Sequence, residues 1–366
     1  MISLKRDETF VQMFSKNYAE ARQKFLTAAP KSKQFQCSAQ GSSGEALFTD
    51  AAYFGELDAP NLLILISATH GVEGYCGSAA QLAFLHDHVL QELPSSTAVL
   101  VVHALNSYGF SWDRRVTFEG CDLNRNFVDF SKGLPINDGY AELAEAIVPV
   151  DLSSSELAVA QEKMNQYKAF HGEEAFQSAF SSGQYTHPKG MFYGGEQATE
   201  AHRILDQIMD SFSTAPREKV VVIDYHTGLG PYGYGELQCE QASGLDGYER
   251  AREIFGHSVT SPALGTSSAS VLHGTQAEYW ERVYGDRHVY VCLEYGTFDP
   301  SLVRGVLTAD HWLYAYSPHE ANSELGNKIR LATKNAFYPQ FEDWKEMVIS
   351  RARIVHLQAM AALSAR

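Results

Sequence analysis

Four short apolar runs constrain the fold more than any other feature of this chain: residues 62–66, 99–102, 220–223 and 289–293, all rich in Val, Ile and Leu. Each is too short for a globular helix, and each is apolar on every residue or nearly so. That combination describes strands buried on both faces, which a mostly parallel sheet covered by helices provides. Segments 75–92, 197–212, 300–315 and 339–363 carry apolar residues at helical spacing, so strands and helices alternate and the predicted class is α/β. An amphipathic helix over 7–28 is predicted to pack on this body, followed by a Gly/Ser loop from Gly41 to Gly44. A stretch at about 129–213 interrupts the alternation with helical pieces at 140–147 and 155–170 and a Gly/Pro-containing loop at 187–195. It reads as a helical insertion or cap on a single catalytic domain spanning 1–366. No fixed-period repeat is visible, which leaves solenoids and propellers without support.

Charge narrows the partners. With 29 Lys+Arg against 44 Asp+Glu the chain has a net charge of −15, and such a surface repels phosphate backbones, so no nucleic acid is expected. The five cysteines, Cys37, Cys76, Cys121, Cys239 and Cys292, form no CxxC pair. They suggest a reducing compartment rather than a disulfide framework. The sequence MISLKRDETF places charges where a secretory signal needs its apolar core, and no apolar run approaches a membrane span. A cytoplasmic protein with no membrane partner is the expectation, and the sequence leaves its oligomeric state open.

Each central run leads directly into residues suited to chemistry: SATHGVEG after 66, HALN after 102, DYHTG after 223 and EYGT after 293. In open α/β sheets ligands bind beyond the carboxyl ends of the strands, so these tails are predicted to converge. His70 and Glu73, three apart in a glycine-flanked turn, suit one cation, and His226 is the natural third ligand from a distant strand. A His/Glu/His set leaves a coordination position open for water, as catalytic zinc sites do. Arg125, between Asn124 and Asn126, offers a planar fork for a substrate carboxylate. Arg115, with its neighbour Arg114, offers a cation for a developing oxyanion, and the sequence alone leaves the choice between them to motif spacing. Glu294 ends an apolar strand, where desolvation raises a carboxylate into the range of a general base.

The ordered motifs ATHGVEG, NSYGF, RRVTFEGCDLNRNF, DYHTG and LEYGT resemble the zinc carboxypeptidases and their succinylglutamate desuccinylase and aspartoacylase relatives, most closely an uncharacterised bacterial branch. The resemblance covers about 62–297. It implies a three-layer α/β/α sandwich around a mixed sheet, and one Zn2+ per chain held by His70, Glu73 and His226. Glu294 would activate the attacking water, and Arg115 would polarise the scissile carbonyl. Asn124 and Arg125 would hold the substrate carboxylate, and Asp122 would orient the first histidine. The implied activity is hydrolysis of an amide bond near a free carboxylate, with N-acyl amino acid deacylation as the alternative. A non-catalytic carboxylate-binding protein of the same fold is the reading from another class.

Three features depart from the pattern. His226 lies 153 positions after Glu73, a longer interval than is usual in the family, and Glu294 is followed by Tyr-Gly-Thr rather than by a charged residue. Tyr279 and Tyr284 lie where the family has a substrate-contacting tyrosine, but tyrosines there are more often packing. Gly228–Gly233 formally satisfies GxGxxG, yet Pro231 and the following YGYGELQ do not open a helix, so a pocket-lining turn is predicted instead of a dinucleotide site. Cys76 and Cys292 are expected to be small core residues.

Overall fold

A computed structural model describes residues 9–241 and 245–364; positions 7 and 8 of the expected N-terminal helix lie outside them. Eight strands form one sheet among the described residues: β1 (Lys33–Gln40), β2 (Ala46–Phe54), β3 (Asn61–Ile66), β4 (Thr97–His103), β5 (Lys219–Tyr232), β6 (Glu236–Gln238), β7 (Val259–Thr260) and β8 (His288–Gly296). Their order is β1-β2-β4-β3-β5-β8-β6-β7. The four apolar runs are the adjacent strands β4, β3, β5 and β8, parallel to one another. Antiparallel pairings of β2 with β4 and of β6 with β8 flank this centre, so the sheet is mixed.

The helices are α1 (Thr9–Met13), α2 (Tyr18–Ala28), α3 (Gly74–His86), α4 (Ser107–Ser111), α5 (Asp138–Ile147), α6 (Ser154–His171) and α7 (Glu173–Ser181). They continue with α8 (Glu200–Ser211), α9 (Leu245–Phe255), α10 (Gln276–Tyr284), α11 (Pro300–Tyr316), α12 (Glu324–Phe337) and α13 (Glu342–Ser364). Alternation along the strands divides the core in two. Leu63, Leu65, Val221 and Ile223 pack with α1, α2, α3, α9 and α13, whereas Leu62, Ile64, Val220 and Val222 pack with α8 and α10. This is an α/β/α sandwich. Leu62 to Ile66 have no exposed surface, and burying each such side chain contributes roughly 1.5–3 kcal/mol.

Three local differences from the sequence reading have physical causes. The helix predicted over 75–92 stops at His86 because Asp87 is extended (ψ 149°), and only a 3-10 turn follows. The N-terminal helix is two helices, with Asn17 capping the second by accepting from the Glu20 amide. Within 129–213, α5, α6 and α7 pack against α11 and α12, but α8 belongs to a sheet-covering layer because Ile204, Leu205 and Ile208 face the strands.

Candidate active site

The chain leaves β3 through Ala68, held at φ 60°, a left-handed conformation that costs an L-residue roughly 1–2 kcal/mol. It then forms the turn that carries His70 and Glu73. Gly71 backs directly onto α4, where an added Cβ would lie 2.1 Å from the Gly109 backbone, so only glycine fits. The Gly71 and Val72 amides donate to the Arg115 and Arg114 carbonyls at 3.1 and 2.8 Å. Asn106 Nδ2 also donates to the Arg115 carbonyl at 3.1 Å. The HGVE segment and the distant NSYGF and RRVTF segments, which follow one another closely in sequence, are therefore one folded unit.

Three donors converge there. His70 Nδ1 lies 2.9 Å from Glu73 Oε1, and His226 Nδ1 lies 3.0 Å from both Glu73 Oε2 and His70 Nδ1. All three residues are buried. The outer ring nitrogens meet carboxylates: His70 Nε2 is 3.2 Å from Asp122 Oδ1, and His226 Nε2 is 2.7 Å from Asp224 Oδ2. A ring that donates Nε2–H to a carboxylate turns the Nδ1 lone pair inward, which is the tautomer a metal ligand needs. The ligand atoms of the triad lie within 4.8 Å of one another, so the donor set fits a divalent cation. Burial works against charge on His226, yet Asp224 and Glu73 outweigh it and hold its pKa well above the ordinary histidine value, so a cation bound at Nδ1 displaces a proton. Asp122 is held well below the carboxylate range, burial being outweighed by Arg115 and His70.

Sequence reasoning missed Asp224, although it stands in DYHTG. The available signal was the Asp-x-His spacing on a strand, which puts both side chains on one face. Asp224 is itself fixed by Thr69 Oγ1 at 2.8 Å and Gln276 Nε2 at 2.8 Å.

Glu294 is beside His226 because β5 and β8 pair those residues directly. Its Oε1 accepts from the Leu229 amide at 2.9 Å. Burial, then the nearby Glu73 charge, push its pKa up to about 8. His226, Cys292 and Glu294 form a second grouping of ligand atoms within 4.8 Å, but burial and the Glu294 charge hold the Cys292 thiol protonated, which makes it a poor ligand.

The Glu294 shift has a consequence for stability. A carboxyl whose folded pKa exceeds its unfolded value stabilises the fold while protonated, and this contribution is lost as pH rises towards about 8. In chelator, the melting temperature of the native protein is expected to fall more steeply than that of Glu294→Gln between about pH 5 and about pH 9. Equal slopes would contradict the buried, proton-binding carboxylate.

The two arginines separate. Arg115 Nε donates to Asp122 Oδ2 at 2.8 Å and Nη1 to Glu73 Oε1 at 3.3 Å, and the side chain borders the central cavity. Arg114 pairs with Asp310 at 3.0 Å and lies 3.3 Å over the Tyr314 ring, away from that cavity. Arg125 borders the cavity, with Nη1 donating to the Asn124 carbonyl and Nη2 to the Ser181 carbonyl, both at 2.8 Å. Asn124 also borders it, its Oδ1 accepting from the Gln276 amide at 2.9 Å. Phe192, at φ 57°, sits 5.4 Å from each of the Arg115 and Arg125 guanidiniums. The cavity measures about 400 Å³ and also meets His70, Glu73, His226 and Glu294, within the range of small-ligand sites. Asp122 stands behind it.

Cys292 and the Gly228–Leu229 bend of β5 border the cavity as well; the latter is part of a strand, not the start of a helix. Tyr279 and Tyr284 do not reach it. They are buried between α10 and the sheet, with Tyr279 OH bonded to Asp206 and Tyr284 OH to the Thr214 carbonyl.

A family model described as a protein of unknown function (DUF2817) matches residues 14–351 and so includes every residue of this site. The chain belongs to the DUF2817 family. A search of curated proteins finds no match. Among solved structures, this DUF2817 chain is similar to bovine thrombin-activatable fibrinolysis inhibitor in complex with tick carboxypeptidase inhibitor, at 10% identity and TM-score 0.43, over 90% of this chain and 97% of that one. It is similar to carboxypeptidase A from Helicoverpa armigera at 13% identity and TM-score 0.38, over 87% and 71%. It is also similar to an aspartoacylase family protein from Mesorhizobium loti at 14% identity and TM-score 0.33, over 78% and 66%.

Proposed function

We propose that this DUF2817 protein is a zinc-dependent hydrolase that cleaves an amide bond near a free carboxylate, in the manner of a metallocarboxypeptidase. The observation that carries this reading is a buried His/Glu/His donor set with an uptitrated carboxylate, Glu294, paired in register with one of the ligands. Zinc at His70, Glu73 and His226 would supply Lewis acidity and a more acidic water. Glu294 takes the proton from the attacking water and returns it to the leaving amine. Arg115, held by Asp122, faces the carbonyl oxygen as charge develops on it. Arg125 and Asn124 hold the substrate carboxylate. Asp122 and Asp224 keep the two imidazoles in the ligating tautomer.

Helix α7 acts as a cap, since its Gln177, Phe180 and Ser181 contribute to the cavity wall, and α5 and α6 pack behind it. The five buried free cysteines and the net charge of −15 support a reducing, cytoplasmic setting without nucleic acid; no described helix is long and apolar enough to cross a membrane. N-acyl amino acid deacylation is the second reading, because the same carboxylate clamp serves an acylated amino acid. Screening zinc-incubated protein against short peptides beside N-acylated amino acids, with amine release as readout, separates the two. Turnover of either set supports the hydrolase. Binding of both without turnover would favour a carboxylate-binding protein.

A further inference from the structure

Behind the metal site lies a directed chain of hydrogen bonds that begins on helix α10. Gln276, the first residue of that helix, has no exposed surface and does not border the cavity. Both polar atoms of its side chain are nevertheless engaged. Oε1 accepts from Trp280 Nε1 at 3.0 Å, and Nε2 donates to Thr69 Oγ1 at 2.6 Å and to Asp224 Oδ2 at 2.8 Å. The backbone amide is used as well, donating to Asn124 Oδ1 at 2.9 Å. An indole N–H can only donate, so the fully buried Trp280 decides which way the Gln276 amide faces. The reverse orientation would set Oε1 against the Asp224 carboxylate and the NH2 group against the indole N–H.

That direction is carried on to a ligand of the proposed metal. Thr69 spends its one O–H on Asp224, 2.8 Å from Oδ1 and 2.9 Å from Oδ2, so it meets Gln276 as an acceptor. Asp224 Oδ2 thus receives Thr69, Gln276, the Tyr290 hydroxyl at 3.4 Å and, at 2.7 Å, His226 Nε2. Apart from His226, the hydrogen-bond donors that hold this carboxylate among the described residues are neutral, and all of them are buried. The place of Asp224, and with it the orientation of the His226 ring, therefore depends on donors fixed from two sides, the loop after β3 and the covering helix α10.

We infer that Gln276 is a positioning residue for the metal site, acting through Asp224 on His226, and that Trp280 sets its amide in the working orientation. This rests on the zinc site of the hydrolase reading, and it is testable without turnover. The probe is Zn2+ itself, its Kd measured by competition with a chromophoric chelator for the native protein, Gln276→Met, Trp280→Phe and the double variant. Thermal melting of each metal-free protein reports the fold separately. Gln276→Met keeps the side-chain length but removes the donor to Asp224, and is expected to bind zinc about 10–100-fold more weakly, as for loss of an outer partner of a metal ligand. Trp280→Phe touches neither Asp224 nor His226, and is expected to weaken zinc about 3–10-fold by freeing the Gln276 amide. Because Trp280 acts only through that amide, the double variant is expected to bind no more weakly than Gln276→Met. A role in packing alone would lower the melting temperatures and leave the zinc affinities unchanged. Native-like zinc affinity in Gln276→Met, or a double variant whose loss is the product of the two single losses, would overturn the inference. Should Gln276→Met not fold, Trp280→Phe decides alone, and an unchanged zinc affinity there overturns it. Native protein that binds no zinc would overturn both this inference and the hydrolase. The expected zinc losses in a protein that hydrolyses no amide would keep Gln276 and sink the hydrolase, and hydrolysis with equal zinc affinities in native protein and Gln276→Met would do the reverse.

Discussion

Glu294→Gln is expected to keep its metal and its fold while kcat falls by about 10²–10⁴-fold, the range for loss of a general base. Glutamine preserves the shape and can still accept from the Leu229 amide through its carbonyl oxygen. It has no basic site for the proton of water. Because Glu294 is paired with His226 in the sheet and is not one of the three converging ligands, metal content is expected to match that of the native protein. Steady-state kinetics with a substrate from the amide screen, together with metal analysis, check both halves. An active Glu294→Gln enzyme would refute the role assigned to this carboxylate.

The neighbouring arginines give the second large contrast. Arg115→Ala removes the cation bordering the cavity and is expected to lower kcat by about 10²–10³-fold with smaller change in KM, as for loss of one oxyanion-stabilising donor. His70 retains its bond to Asp122, so metal is expected to remain. At Arg114 the effect is on stability. Asp310→Ala leaves a buried guanidinium without its carboxylate, and breaking such a pair destabilises by about 3–5 kcal/mol. Urea unfolding of Asp310→Ala and kinetics of Arg115→Ala should therefore move in separate observables. A catalytic loss in Arg115→Ala matched by equal loss of stability would contradict the division.

The parts legible in the sequence were those where a single local rule decides the outcome. The central strands could be found because burial on both faces demands uninterrupted apolar runs, and helix boundaries such as Pro300 at the start of α11 carry ordinary start signals. The β1–β2 hairpin escaped because KQFQCSAQ buries only Cys37, leaving no apolar run, and its glycines read only as a loop. Helix α12 was missed too; its polar sequence ELGNKIRLATKNAF buries little beyond Ile329, Ala336 and Phe337 among its hydrophobic residues.

At the site, strand ends predicted convergence, and the structure brings His70, Glu73, His226, Glu294, Arg115, Asn124 and Arg125 around one cavity. What spacing along the chain could not supply was the depth of that cavity. Arg114 and Arg115 have the same chemistry, and only Asp310, from the distant helix α11, removes one of them from it.

The measurement that tests the central claim most directly is metal content per chain, by plasma mass spectrometry, on zinc-incubated native protein and His226→Ala in parallel. The account predicts about one zinc per native chain, as expected for an open three-ligand site, and a sharp reduction in His226→Ala. Native protein that binds no metal, or a His226→Ala variant that binds as much as the native chain, would contradict it.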